Sequence, residues 1–449
     1  MPATKNSVYS KNSMAIRGPA AGLARLLAAG LAASLAVLPA FAVGDHDLPM
    51  PTAKPEQVGM SSERLARLPL GMRALVDQGR LAGVVTMVAR HGKIVEFAAA
   101  GKRDLAANAP MQRDDIFRIY SMTKPITGVA MMMLFEEGKW QLNDPVAKYI
   151  PEFADLKVFS LDAGGNTIAA DPAHPVTMRE LMSHTGGFTY GYFSNTPVDK
   201  LLREADVLDV NITLNEMIKR IAKLPLNAQP GSEWHYSISV DIQGYLVQKL
   251  SGMPFEEFLQ NRLFKPLRMV DTGFYVPKEK LNRFATFYSY GSDGKLQVTH
   301  GGLEHDFSAK PTLASGGGGL VSTATDYMRF CQMLLNGGQL DGVRLLSPRT
   351  VELMRTNVLP PNMPTLAPGA GFGLDFAVFT DVMAAGGYYG KGTYFWGGAA
   401  GTWFWIDPVN DLIVIGMIQQ AAGTGAAAAG GVPDVRGLSH AYTYQAILD

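Results

Sequence analysis

Phe117-Arg118-Ile119-Tyr120-Ser121-Met122-Thr123-Lys124-Pro125 is the stretch on which the reading of this chain turns. It runs into Val129-Ala130-Met131-Met132-Met133-Leu134-Phe135 and stops at Gly138. Apolar residues on nearly every face predict a buried central helix over 123–137, not an amphipathic surface one. Pro125 has no N–H and is tolerated only in a first turn, which sets the helix start near Ser121. Ser121 and Lys124 then stand one turn apart on one face. A lysine backed by an apolar helix can take the serine's hydroxyl proton when burial keeps its amine neutral. The Ser121 N–H would point out of a positive helix end, where an oxyanion can sit. One tension is that a residue before proline resists the helical geometry Lys124 must adopt.

Outward from this helix the pattern is β at both ends and helical between. Val84–Ala89 and Ile94–Phe97 flank the His91-Gly92 turn and predict a hairpin, preceded by a polar helix over 61–78. Segments 178–183, 214–223, 239–250 and 255–263 read as helices, as does 325–335. Strands follow at 393–396, 402–406 and 412–419, the last two joined by the turn Asp407-Pro408-Val409-Asn410-Asp411. The fold class expected is α/β (α+β): an antiparallel sheet flanked by helices, built from both chain ends, residues 43–138 and 300–449. A mainly helical domain, 139–299, is inserted between them. Lys5, Lys11, Arg17 and Arg25 precede an apolar run from Leu26 to Leu38, and Ala40-Phe41-Ala42 follows. That order predicts a secretory signal over 1–42, and so a periplasmic or secreted protein with no membrane attachment after cleavage.

Composition narrows the function. The 449 residues carry 40 basic and 40 acidic side chains, so neither a nucleic-acid footprint nor a polybasic membrane surface is expected. The single cysteine, Cys331, excludes a disulfide framework or a cysteine-ligated metal within one chain.

Other candidates are weaker. Ser292-Asp293-Gly294-Lys295 repeats the serine–lysine spacing, but Asp-Gly makes a turn and nothing apolar buries that lysine. Gly437-Leu438-Ser439-His440-Ala441 resembles a nucleophile elbow but lies too near the end to be followed by an acid and a histidine. His300, Glu304, His305 and Asp306 cluster without a metal-binding spacing, and no metal or cofactor is expected. Pro230-Gly231-Ser232-Glu233-Trp234-His235-Tyr236 is an aromatic loop leading into a helix capped by Ser237 or Ser239. Tyr236 there is either a packed aromatic or an acid–base group in a cleft. Phe395-Trp396-Gly397-Gly398-Ala399-Ala400-Gly401-Thr402 puts glycines in a hairpin, where a backbone or a substrate can approach closely.

These three segments, in this order, resemble the serine β-lactamase and penicillin-binding-protein superfamily, and within it the family VIII carboxylesterases, which are similar to class C β-lactamases. The resemblance runs from Val58-Gly59-Met60 through Asp144-Pro145-Val146 and Leu181-Met182-Ser183-His184-Thr185-Gly186-Gly187 to the closing hairpin. It implies an acyl-enzyme mechanism with Ser121 as nucleophile, Lys124 as its base partner and Tyr236 as the proton shuttle. It further implies Trp396, Gly397 and Gly398 as a substrate-binding third motif, and an oxyanion hole from the backbone N–H groups of Ser121 and Ala399. The family's lactamases carry Lys-Thr-Gly where Trp396-Gly397-Gly398 stands, and an asparagine where Ile238 stands. Loss of both favours a neutral, small to medium acyl ester over a β-lactam. Lys391 is the residue that could restore a charge nearby, and His184-Thr185-Gly186 reads as structural. A lactamase or DD-peptidase, an acyltransferase and a non-catalytic binder of cell-wall fragments are the alternatives. The expected partner is a small-molecule ester.

Overall fold

His91 and Gly92 both take positive φ, 51° and 70°. Two such residues make the turn whose twist matches a hairpin, and they join β1 (Gly83–Arg90) to β2 (Lys93–Asp104). The computed structural model describes residues 50–161, 167–299, 306–361, 363–364, 367–421 and 433–449. The leader expected over 1–42 lies outside these, as do His300, Glu304 and His305. β3 (Ala109–Pro110) extends the hairpin at one edge. The remaining strands come from the far part of the chain: β4 (Ala370–Phe372), β5 (Ala377–Phe379), β6 (Tyr394–Gly397), β7 (Trp403–Asp407) and β8 (Leu412–Met417). The order across the sheet is β4-β5-β6-β7-β8-β1-β2-β3, antiparallel throughout. β1 joins β8 in register from Val85–Met417 to Arg90–Leu412. The expected antiparallel sheet built from both ends is what the chain forms.

Alternation along the central strands explains why they read as continuous apolar runs. Val84, Val88, Trp403, Trp405, Leu412 and Val414 face one cluster, with α1 (Arg67–Asp77) on that side. Val85, Met87, Phe404, Ile406, Ile413 and Ile415 face the larger cluster on the other side. That second cluster contains α2 (Thr123–Glu136), α3 (Ser239–Ser251) and α4 (Ala324–Leu335). α5 (Val435–Tyr444) covers the first face beside α1. Both faces are therefore buried, and every residue of α2 from Thr123 to Leu134 is buried too.

Shorter helices at Met178–Met182, Pro197–Ala205 and Leu214–Ile221 pack on the same larger core. The helix expected over 255–263 is an α-helix at Phe255–Leu259 followed by a π turn at Gln260–Phe264. Among the described residues no helix is long and apolar enough to cross a membrane.

Candidate active site

Phe117–Arg118 pairs with Val321–Ser322 and delivers the chain into a 3-10 turn, Tyr120–Met122. Tyr120 takes φ +39°, a left-handed conformation that is strained for a bulky residue. Its ring is held between Phe287 and Phe307, at 5.9 and 6.0 Å. The α-helix starts at Thr123, as the apolar run predicts, with Met122 as its cap, and the start that Pro125 sets near Ser121 falls in the 3-10 turn just before it. Pro125 is its third residue, where an N–H would have no acceptor, so the proline removes no hydrogen bond.

Three groups meet at the serine. Tyr236 Oη donates to Ser121 Oγ at 2.8 Å, and Lys124 Nζ donates to the same oxygen at 3.3 Å. Lys124 is 1% exposed and also donates to the carbonyl of Gly317 at 2.6 Å. Its Nζ lies 4.6 Å from the Tyr236 ring centroid and 5.0 Å from that of Tyr190, over the faces of two aromatic rings.

Gly317 is fixed by Asp241 of α3, which accepts from the Gly317 N–H at 3.0 Å and from Ser315 Oγ. Thr127 Oγ1 of α2 donates to Gly316 O at 2.8 Å. The Ser315–Gly319 loop is thus clamped between the two helices with one carbonyl aimed at the lysine. Burial pushes the Asp241 carboxyl up, against the opposing pull of Lys124. Burial pushes Asp375 well above the usual carboxylate range, although Gln243 donates to it at 3.0 Å. It pushes His184 well below the usual imidazole range, and the Lys124 charge adds to that effect.

Tyr236 sits in a ring of aromatics. Tyr190 stacks on it at 5.4 Å and 25°, and Phe193, Trp396 and His184 lie at 5.3, 5.4 and 5.0 Å. The His184 ring packs directly on the tyrosine. Its Nδ1 is hydrogen-bonded with Ser237 Oγ at 3.0 Å. The cap expected at Ser237 or Ser239 is Ile238, with no side-chain cap bond, because Ser237 is engaged with His184 and Ser239 instead.

β6 brings the third motif in. Trp396 faces the cleft core, while Gly397 faces away from it toward α5. A Cβ on Gly397 would lie 2.3 Å from Arg436 Nη2, so the room this glycine leaves is filled by a side chain of α5 and not by open cleft. A Cβ on Gly398 would lie 2.4 Å from Ile119 O, so this glycine lets the β6–β7 turn close onto the backbone just before Ser121. Ala399 follows at that contact. Lys391 is exposed at the start of the hairpin.

Ser292–Lys295 forms a hairpin turn, with Gly294 at φ 75°, as expected. Among the described residues no cluster of His, Cys, Asp or Glu is placed to hold a metal ion. Gly317, Asp241, Tyr190, Phe193 and Phe372 were not foreseen. The run Ser315-Gly316-Gly317-Gly318-Gly319 was the available signal for the first.

An antiparallel sheet with buried helices on its face, and a serine, lysine and tyrosine meeting at one oxygen, define a β-lactamase-like fold. Residues 72–432 match the Beta-lactamase family, and the chain belongs to it. The chain is 38% identical over 360 residues to an uncharacterised protein of Mycobacterium tuberculosis (strain CDC 1551 / Oshkosh), covering 78% of this chain and 88% of that one. It is 32% identical over 379 residues to Esterase EstB of Burkholderia gladioli, covering 79% and 91%. Among solved structures it is similar to EstCE1, described as a hydrolase with promiscuous acyltransferase activity. There the TM-score is 0.71 at 27% identity, over 84% of this chain and 99% of that one. The resemblance to the serine β-lactamase and penicillin-binding-protein superfamily, on the side of its esterases, is borne out.

Proposed function

We propose that this protein is a serine carboxylesterase that cleaves small to medium acyl esters through an acyl-enzyme on Ser121. The observation that carries the reading is the convergence of Tyr236 Oη and Lys124 Nζ on Ser121 Oγ, at 2.8 and 3.3 Å. A neutral Trp396 lines the same cleft. Ser121 Oγ attacks the ester carbonyl, and its proton passes to the Lys124–Tyr236 pair. Tyr236 returns a proton to the departing alkoxide, and water repeats the sequence on the acyl-enzyme. The N–H groups of Ser121 and Ala399 hold the tetrahedral oxyanion. Similarity to an esterase of Burkholderia gladioli supports the ester as substrate. Export to the periplasm or beyond is part of the same proposal, on the strength of the sequence at 1–42.

A second reading, acyl transfer to an alcohol other than water, is favoured by similarity to EstCE1. Hydrolysis of p-nitrophenyl butyrate by the purified protein, beside its Ser121→Ala variant, tests the first. Turnover is expected in the parent and none in the variant; equal rates in both would overturn the assignment. Adding an alcohol and measuring the ratio of new ester to free acid separates the two readings, and nitrocefin turnover would point to lactam amides.

A further inference from the structure

Two large aromatic side chains on the loop after Tyr190 are more than half exposed. Tyr192 and Phe193 are 52% and 58% exposed, and each ring so placed forgoes apolar burial. Yet the loop that carries them is pinned. Asp199, which is fully buried, accepts from Thr189 Oγ1, the Gly191 N–H, Ser194 Oγ and both the N–H and Oγ1 of Thr196. Arg203 adds a bond to Gly191 O and another to Asn195 Oδ1. The rings are thus held outside by polar bonds and are not left over from poor packing.

Phe193 lies 5.3 Å from the Tyr236 ring at 52°, and Trp396 lies 5.4 Å from it at 50°. Among the described residues no ring contact joins Phe193 to Trp396, so both lean on Tyr236 and stand apart from each other. The Tyr236 hydroxyl is the group bonded to Ser121. Phe193 and Trp396 thus both flank the tyrosine that bonds the nucleophile, and tilted or offset contact is the arrangement aromatic pairs favour. Phenylalanine and tryptophan side chains carry no charge, so both walls are neutral.

We propose that Phe193 and Trp396 are the two walls of a slot for a planar aromatic ring of the ester, and that Phe193 sets the preference for ring-bearing substrates. The proposal rests on ester hydrolysis at Ser121. The ring can belong to the acyl group or to the alcohol, and three esters followed by pH-stat titration tell these apart. They are ethyl phenylacetate (ring on the acyl side), benzyl acetate (ring on the alcohol side) and ethyl butyrate (no ring).

In the parent, kcat/KM for one of the two ring-bearing esters is expected to exceed that for ethyl butyrate by about tenfold, and the better one identifies the side. In Phe193→Ala that ratio falls about two- to tenfold, the worth of one aromatic pair. Phe193→Leu keeps apolar bulk without the ring and is expected to fall nearly as far. Phe193 is exposed, so these variants should fold. A ratio near one in the parent, or a ratio unchanged in Phe193→Ala, overturns the slot while leaving the esterase reading intact. No turnover of any of the three by the parent removes both together.

Discussion

Two sets of buried carboxylates on opposite faces of the sheet are treated differently by this fold. On the α5 side, Asp407 accepts from the N–H groups of Gly390, Val409 and Asn410, from Asn410 Nδ2 and from Tyr444 Oη, at 2.6 to 3.1 Å. Its lone pairs are saturated, and it ties a turn, a loop and a helix together. On the cleft side, Asp241 and Asp375 each keep one buried oxygen with no partner among the described residues, as do Gln243 Oε1 and His184 Nε2. The carboxylate that ties the α5 side together is fully bonded. Those around Lys124 are left with unsatisfied capacity in a low-dielectric pocket, where their field acts on the reacting groups.

Substitutions can break this contrast. The largest effect is expected at the serine's own partners: Lys124→Ala and Tyr236→Phe should each lower kcat/KM on p-nitrophenyl butyrate at least about a hundredfold. Near-normal activity in either would remove it from proton transfer. Next come the carboxylates. Asp241→Asn keeps an oxygen for Gly317 and Ser315 but puts an amide NH2 in place of the unpartnered oxygen in the field of Lys124, and should reduce kcat about tenfold with little change in the denaturant midpoint. Asp407→Asn should do the opposite, destabilising by about 2 kcal/mol while the folded fraction keeps kcat within about twofold. If both variants shift the same quantity, the division into functional and structural carboxylates fails.

The last effect appears only on acidification. Burial among Trp405, Tyr389 and Tyr444 pushes His440 down to about 3. The unfolded chain binds a proton at this residue from about pH 6.5 downward, and the folded chain does not until about 3. Stability therefore falls as pH drops across that window. His440→Phe should flatten that part of a stability–pH curve measured by urea unfolding.

What could be read in the sequence follows the range of each interaction. Ser121 and Lys124 are one turn apart, so spacing and an apolar helix suffice. Tyr236 and Trp396 reach the site from 115 and 275 residues further on, and only the likeness of their motifs to a family placed them there. Gly317 acts through a backbone carbonyl and leaves no mark in side-chain chemistry. The ring partners of His184, Tyr236, Trp234 and Phe372, come from other parts of the chain, so its place beside the tyrosine could not be read locally. The strands at Ala370–Phe372 and Ala377–Phe379 are three residues each, too short for alternation to show. The helix at Pro197–Ala205 did carry a signal, Thr196 and Asp199 in a capping box with Pro197 at its first position.

The seam between β1 and β8 also sets an order of events during synthesis. β1 and β2 can form a hairpin as soon as they leave the ribosome, but the other edge of β1 finds its partner only when Leu412–Met417 are made. Until then the strand that will lie inside the sheet is an open edge, and the helices that cover it have an incomplete floor. Closing the seam brings together segments separated by most of the chain, a slow step in folding. The Ser121 turn is braced by the β6–β7 turn at Gly398, so the nucleophile reaches its final setting only as that late half of the sheet arrives.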